Sequence, residues 1–149
     1  MKPFYSVVME RLRSLHEGMI QSMEGLPQDA LDWNPGAEMN SLAVIATHTA
    51  GAESFLVRQL VAQEDVNRSR DSEFVIQDVS SAQLAQLLCA SEREVARVLE
   101  GLEMEDLDRE SALPNGEKVT VAWALLHTLD HTGEHLGHMG ITRQLWEQR

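Results

Sequence analysis

The run HTLDHTGEHLGHMG, residues 127–140, places four of the chain's six histidines within twelve consecutive positions. Neutral imidazole is a good ligand for divalent transition metals. Two histidines four residues apart on a helix can aim both rings at one point, about 2.0–2.1 Å from each nitrogen. At about 100° per residue, His131 and His135 differ by about 40° around a helix and by roughly one turn along it. His127 and His138 fall within about 40° of His131 on its other side, so all four share a stripe with Ala124, Thr128 and Thr142. If that stripe faces inward it must be satisfied, because an unpaired buried polar group costs about 1–3 kcal/mol. A metal ion is the most economical partner. Partial exposure or hydrogen bonding is the plainer alternative.

A third imidazole is available from His48, central in LAVIATHTAGAESF, where Ala46, Ala50, Gly51 and Ala52 clear volume around it. Taken alone, His48 reads as a satisfied core residue; set opposite a helical HxxxH, it completes a three-histidine set. Three neutral imidazoles leave the ion its full charge and at least one open position, the catalytic rather than the structural pattern. Such an ion lowers the pKa of bound water toward about 7, or converts a bound thiol to thiolate, so hydrolysis and thiol transfer are both accessible. The residues do not choose between them. Glu134 lies about one turn from His131 and His138, with Asp130 one turn before it, and either could orient an imidazole; a solvated helix flank is the alternative. His138 is a candidate proton shuttle at the mouth of the site. Cys89, in LAQLLCASE without an adjacent base, reads as a buried small side chain. His16 reads as exposed.

These residues need helices to hold them, and helical periodicity runs through most of the chain. Val8, Leu12, Leu15, Met19 and Met23 mark a first helix over about 4–24, closed by Gly25 and Pro27. A loop rich in Pro, Gly, Asn and Asp follows. Ser41 or Asn40 can cap a second helix over about 42–63. The charged stretch QEDVNRSRDSEFVIQDVS breaks the pattern, apart from a short extended candidate at FVI. It exceeds the two to eight residues usual between bundle helices, so it reads as a long crossover over the end of the bundle rather than a tight hairpin. Ser80 or Ser81 can cap a third helix to about 101, LPNGEK marks a turn, and a fourth helix runs over about 119–147. With no convincing strand pair, the expectation is an all-α four-helix bundle in a single domain, residues 1–149. The fourth helix is apolar on its other side too, through Ala122, Leu126, Leu129, Gly133, Leu136, Gly137 and Gly140. A helix apolar on both sides is central to its domain or buried in a subunit contact, which suggests a homodimer.

Composition narrows the partners. Twelve Lys and Arg against 24 Asp and Glu give a net charge of −12, which repels nucleic-acid phosphates and anionic membranes. One cysteine permits no internal disulfide, and the first residues contain no apolar run of signal or membrane-spanning length, so the chain reads as cytoplasmic.

Two stretches carry a family resemblance. LDWNPGAEMNSLAVIATHTAGAESFLVRQL is similar to the second-helix region of the DinB-like / YfiT-like superfamily, where a Pro-containing loop and a polar cap precede a helix with one histidine. LLHTLDHTGEHLGHMGITRQL resembles the fourth helix of the same superfamily, with its HxxxH. The resemblance implies an up-down-down-up bundle, frequent homodimers, and a divalent metal such as zinc or nickel held here by His48, His131 and His135. It carries over neither His127 nor His138 as a ligand. Some members are S-transferases or isomerases acting with low-molecular-weight thiols, and others are described as hydrolases. Three readings stand at this point: a metal-dependent enzyme with a small-molecule substrate, a metal-binding or stress-response module without catalysis, and a structural dimer whose histidines merely pack.

Overall fold

Pro3 occupies the first turn of α1 (Pro3–Met23), where its missing N–H costs nothing. In the computed structural model, which describes residues 1–149, four long helices follow the periodicity of their apolar residues. A short α2 (Gln28–Leu31) lies in the first loop. Ser41 then caps α3 (Leu42–Glu53), its hydroxyl accepting from the Val44 N–H at 3.2 Å. This helix continues as a wider π-helical segment, Ser54–Val61. After the crossover and its single turn α4 (Arg70–Glu73), Ser80 and Gln83 form a capping box that opens α5 (Ser81–Glu100). Thr120 caps the last helix, α6 (Val121–Glu147).

Two apolar clusters stack along the bundle and give the helix directions. The first holds Tyr5 and Leu12 of α1, Val57 and Val61 after α3, Val95 and Leu99 of α5, and Val121 and Leu125 of α6. The second holds Met19 and Met23, Leu42 and Ala46, Leu84 and Leu88, and Met139. Helices α1 and α6 therefore run from the first cluster to the second, while α3 and α5 run the opposite way. The order is up-down-down-up, with α3 and α5 parallel because the crossover carries the chain back along the bundle. Each fully buried Leu or Met contributes about 1.5–3 kcal/mol, so these stripes fix which face each helix turns inward.

Four local expectations are corrected. Around LPNGEK the chain forms a small antiparallel hairpin, β1 (Glu110–Ala112) with β2 (Lys118–Thr120), pairing Ser111 with Val119. Its turn places Gly116 at φ +85, a conformation that favours glycine. FVI is not extended: Phe74 closes the α4 turn, whose Glu73 is drawn inward by the partners described below. Cys89 is exposed and His16 is buried. The phase of α5 turns Leu84 and Leu88 to the core and Cys89 outward, whereas a carboxylate from α3 meets His16 inside the bundle.

Candidate metal centre

Helices α3 and α6 pack side by side and bring three imidazoles together. The ligating nitrogens available on His48, His131 and His135 all lie within 4.8 Å of one another. Nε2 of His131 and Nε2 of His135 are 3.1 Å apart. The His48 ring centroid is 5.2 Å from that of His131 and 5.1 Å from that of His135. Two nitrogen ligands on a tetrahedral ion at about 2.05 Å would be separated by about 3.3 Å, so the His131–His135 spacing fits a shared cation. Two lone pairs cannot face each other at that distance without something positive between them. Without a cation, one ring must donate its N–H to the other; a bound cation would replace that proton.

The charge states suit ligation. Burial, followed by the neighbouring imidazoles, pushes His131 down to about 4. Burial and His48 do the same to His135, which also lies at about 4. Burial lowers His48 as well, outweighing the opposing pull of Glu73. All three rings are therefore neutral near pH 7 and keep a lone pair for a metal.

For His48 and His135, contacts at the far nitrogen set which nitrogen the ring offers. His48 donates Nδ1–H to Glu73 Oε2 at 2.9 Å, leaving the Nε2 lone pair free. Glu73 is in turn gripped by Arg68, which donates Nε–H to Oε1 at 2.7 Å and Nη2–H to Oε2 at 2.8 Å. Burial alone would raise the Glu73 pKa, but Arg68 and His48 together hold its carboxyl below the usual range. On α6, His135 Nδ1 lies 3.4 Å from His138 Nδ1, a contact that turns the far side of the His135 ring toward the centre. Nδ1 of His131 is buried without a partner. Phe74 packs its ring 5.0 Å from that of His48.

The remaining residues singled out in the sequence lie around this centre. His138 is exposed beside His135. His127 turns aside and stacks on Trp123 at 4.5 Å, with its centroid 6.2 Å from His131. Glu134 and Asp130 are exposed on the outer face of α6 and hydrogen-bond to none of the three rings. The carboxylate that orients an imidazole is instead Glu73, from the crossover. Its signal in the sequence was indirect: a charged connection too long for a hairpin, and a glycine at position 51, where a Cβ would meet the Glu73 carboxyl. A cavity of about 240 Å³ adjoins His135 and His138 and is bounded by Met39, Ile45 and Ile141. On the other side, His131 borders a groove of about 830 Å³ with Trp123, His127 and Arg11. No helix is long and apolar enough to cross a membrane.

Comparison with known proteins places this centre in context. A conserved protein from Enterococcus faecalis superposes with a TM-score of 0.80 at 18% identity, covering 100% of this chain and 99% of that one. YfiT from Bacillus subtilis, described as a probable metal-dependent hydrolase with an unusual four-helix bundle topology, superposes with a TM-score of 0.77 at 15% identity, covering 97% and 89%. At such identities the likeness concerns the fold alone. No protein with a curated function matches. The family model for mycothiol-S-transferase matches residues 7–148, nearly the whole chain. The chain therefore belongs to the mycothiol-S-transferase family.

Proposed function

We propose that this protein is a divalent-metal-dependent S-transferase that joins a low-molecular-weight thiol to a small electrophile. The observation that carries the reading is the convergence of His48, His131 and His135 from two helices, all neutral near pH 7 and with ring nitrogens within 4.8 Å of one another. Zinc or nickel suits three imidazoles and an open position. When bound, such a cation would lower the pKa of a coordinated thiol enough to supply thiolate at neutral pH. The chain's own residues do the rest. Glu73 and Arg68 hold His48 in one tautomer, His138 steadies His135 and is placed to carry a proton to solvent, and Met39, Ile45 and Ile141 give an electrophile an apolar wall.

The family match favours thiol transfer over hydrolysis at the same centre, and mycothiol is the thiol it suggests. That assignment fits a protein working in the cytoplasm among reduced thiols. We also read it as a homodimer, because α6 leaves the large apolar side chains of Trp123, Leu126, Ile141 and Leu145 exposed. The test is to purify the chain without a histidine tag, measure its metal content, and assay consumption of mycothiol with small electrophiles. About one divalent ion per chain and metal-dependent thiol consumption are expected. Absence of metal, together with no change in melting temperature on adding zinc or nickel, sinks the reading.

A further inference from the structure

Behind the three histidines lies a second buried polar cluster. Glu53, at the end of α3, is 1% exposed, and its carboxylate receives one side chain from each of the other three long helices. His16 of α1 donates Nε2–H to Oε1 at 2.8 Å, Thr132 of α6 donates its hydroxyl to Oε1 at 3.0 Å, and Ser91 of α5 donates to Oε2. Burying a carboxylate is costly unless every lone pair finds a donor, so a cluster of this kind specifies one arrangement of its helices. The Thr132 bond is the informative one. Buried helical threonines usually return their hydroxyl to the carbonyl four residues back, as Thr128 does to Ala124 and Thr49 does to Ile45, each at 2.8 Å. Thr132 instead reaches across to another helix, and it stands between His131 and His135.

Resting on the three-histidine reading above, we infer that Glu53, acting through Thr132, is a positioning residue for the metal centre, locking α6 in rotation so that His131 and His135 converge with His48. The bond joins the same two helices that the metal would join. Ten degrees of rotation, at a side-chain radius of about 5–6 Å, moves a ring nitrogen by roughly 1 Å. Metal–ligand distances tolerate only about 0.2 Å. Apolar packing along α6 is too adaptable to hold that tolerance, whereas a hydroxyl bonded to a fixed carboxylate is directional.

The test uses cobalt(II) as the probe, because its visible absorption reports coordination geometry independently of any enzymatic reaction. Thr132→Val removes the hydroxyl while keeping the shape, Thr132→Ser restores it, and Thr128→Val is the control for deleting a buried threonine hydroxyl from the same helix. Thr132→Val is expected to weaken cobalt binding about tenfold or more and to shift the absorption bands. Thr132→Ser should recover both, and Thr128→Val should change neither. Should Thr132→Val give no cooperative melt, Thr132→Ala makes the same deletion without packing a methyl against the carboxylate. Wild-type affinity and spectrum in the Thr132 variant overturn the positioning role, as do equal losses in Thr128→Val. If the wild-type chain itself binds no cobalt, the three-histidine reading falls instead, and this outcome is distinct from the other two.

Discussion

Replacing Gly51 with alanine should reverse the usual sign of a glycine-to-alanine change in a helix. Inside α3 the substitution would ordinarily stabilise by about 1 kcal/mol, through lost freedom in the unfolded chain and better helix propensity. Here the new Cβ would lie 2.7 Å from Glu73 Cδ, with Oε1 nearer still and Arg68 Nε at 3.2 Å. Ordinary carbon contacts begin near 3.5 Å, so the carboxyl must retreat by about 0.8 Å or more. That stretches bonds of 2.9 Å to His48 and of 2.7 and 2.8 Å to Arg68 to the limit of hydrogen bonding or beyond. Each charge-assisted bond is worth about 1.5–3 kcal/mol, so losing even one outweighs the propensity gain. The expected result is a net loss of about 1–3 kcal/mol, seen as a melting temperature lower by roughly 3–10 °C. Zinc affinity measured against a chelator should fall about 10- to 100-fold as His48 loses its orienting partner. The decisive comparison is the same change made in a Glu73→Ala background, where the obstacle is gone and alanine should stabilise by about 1 kcal/mol. A Gly51→Ala effect of the same sign and size in both backgrounds would refute the role assigned to Glu73.

Removing a ligand should separate metal binding from folding: His135→Ala should take up well under one zinc per chain by elemental analysis while keeping a cooperative melt and a helical circular dichroism spectrum. The pH dependence has a definite sign. His131 and His135 lie at about 4 in the fold and near 6.5 when unfolded, so the unfolded chain binds more protons between those values. The stability of the metal-free protein should accordingly be at its plateau above pH 6.5 and fall as pH drops toward 4, with a shallower fall in His131→Ala when followed by urea titration. Leu126→Glu, at an exposed apolar side chain of α6, should shift the protein from dimer to monomer in light scattering while leaving zinc stoichiometry unchanged.

The cluster of His48, His131 and His135 was legible because helical periodicity is local. The spacing of His131 and His135 determines a shared helix face whatever else the chain does, and the small residues around His48 announced a space at a helix centre. The directions of the four helices came from the family pattern; the length of the crossover argued only against a tight hairpin. What periodicity could not supply was anything set by the crossover or by contacts between helices. Glu134 and Asp130 seemed suited to orient an imidazole because they are near in sequence, yet residues adjacent to a ligand on a helix are turned about 100° away from it. The supporting carboxylate therefore had to come from another element. Glu73 arrives from such an element, after Asn67 turns through φ 43, and Arg68 approaches it from the same loop. Similarly, His16 has charged neighbours along its helix and reads as exposed; only the assembled bundle, with α1 and α3 both packed on α5 and α6, shows that Glu53 meets it inside.

The two carboxylates differ in what they must do, and this explains why the structure keeps both at the expense of burying charge. Glu73 acts on one ring: its negative charge, balanced by Arg68, selects the His48 tautomer, so its loss should change affinity at a single ligand. Glu53 touches no ligand, but it ties together the helices that carry all three. A metal centre assembled from two separate helices needs both kinds of support, because a correct tautomer on a misplaced helix binds no better than a well-placed ring offering its N–H. Combining Glu73→Gln with Thr132→Val should therefore be less than additive in zinc binding free energy, since once either condition fails the other contributes little. Strict additivity would show instead that the two supports act on unrelated features of the fold.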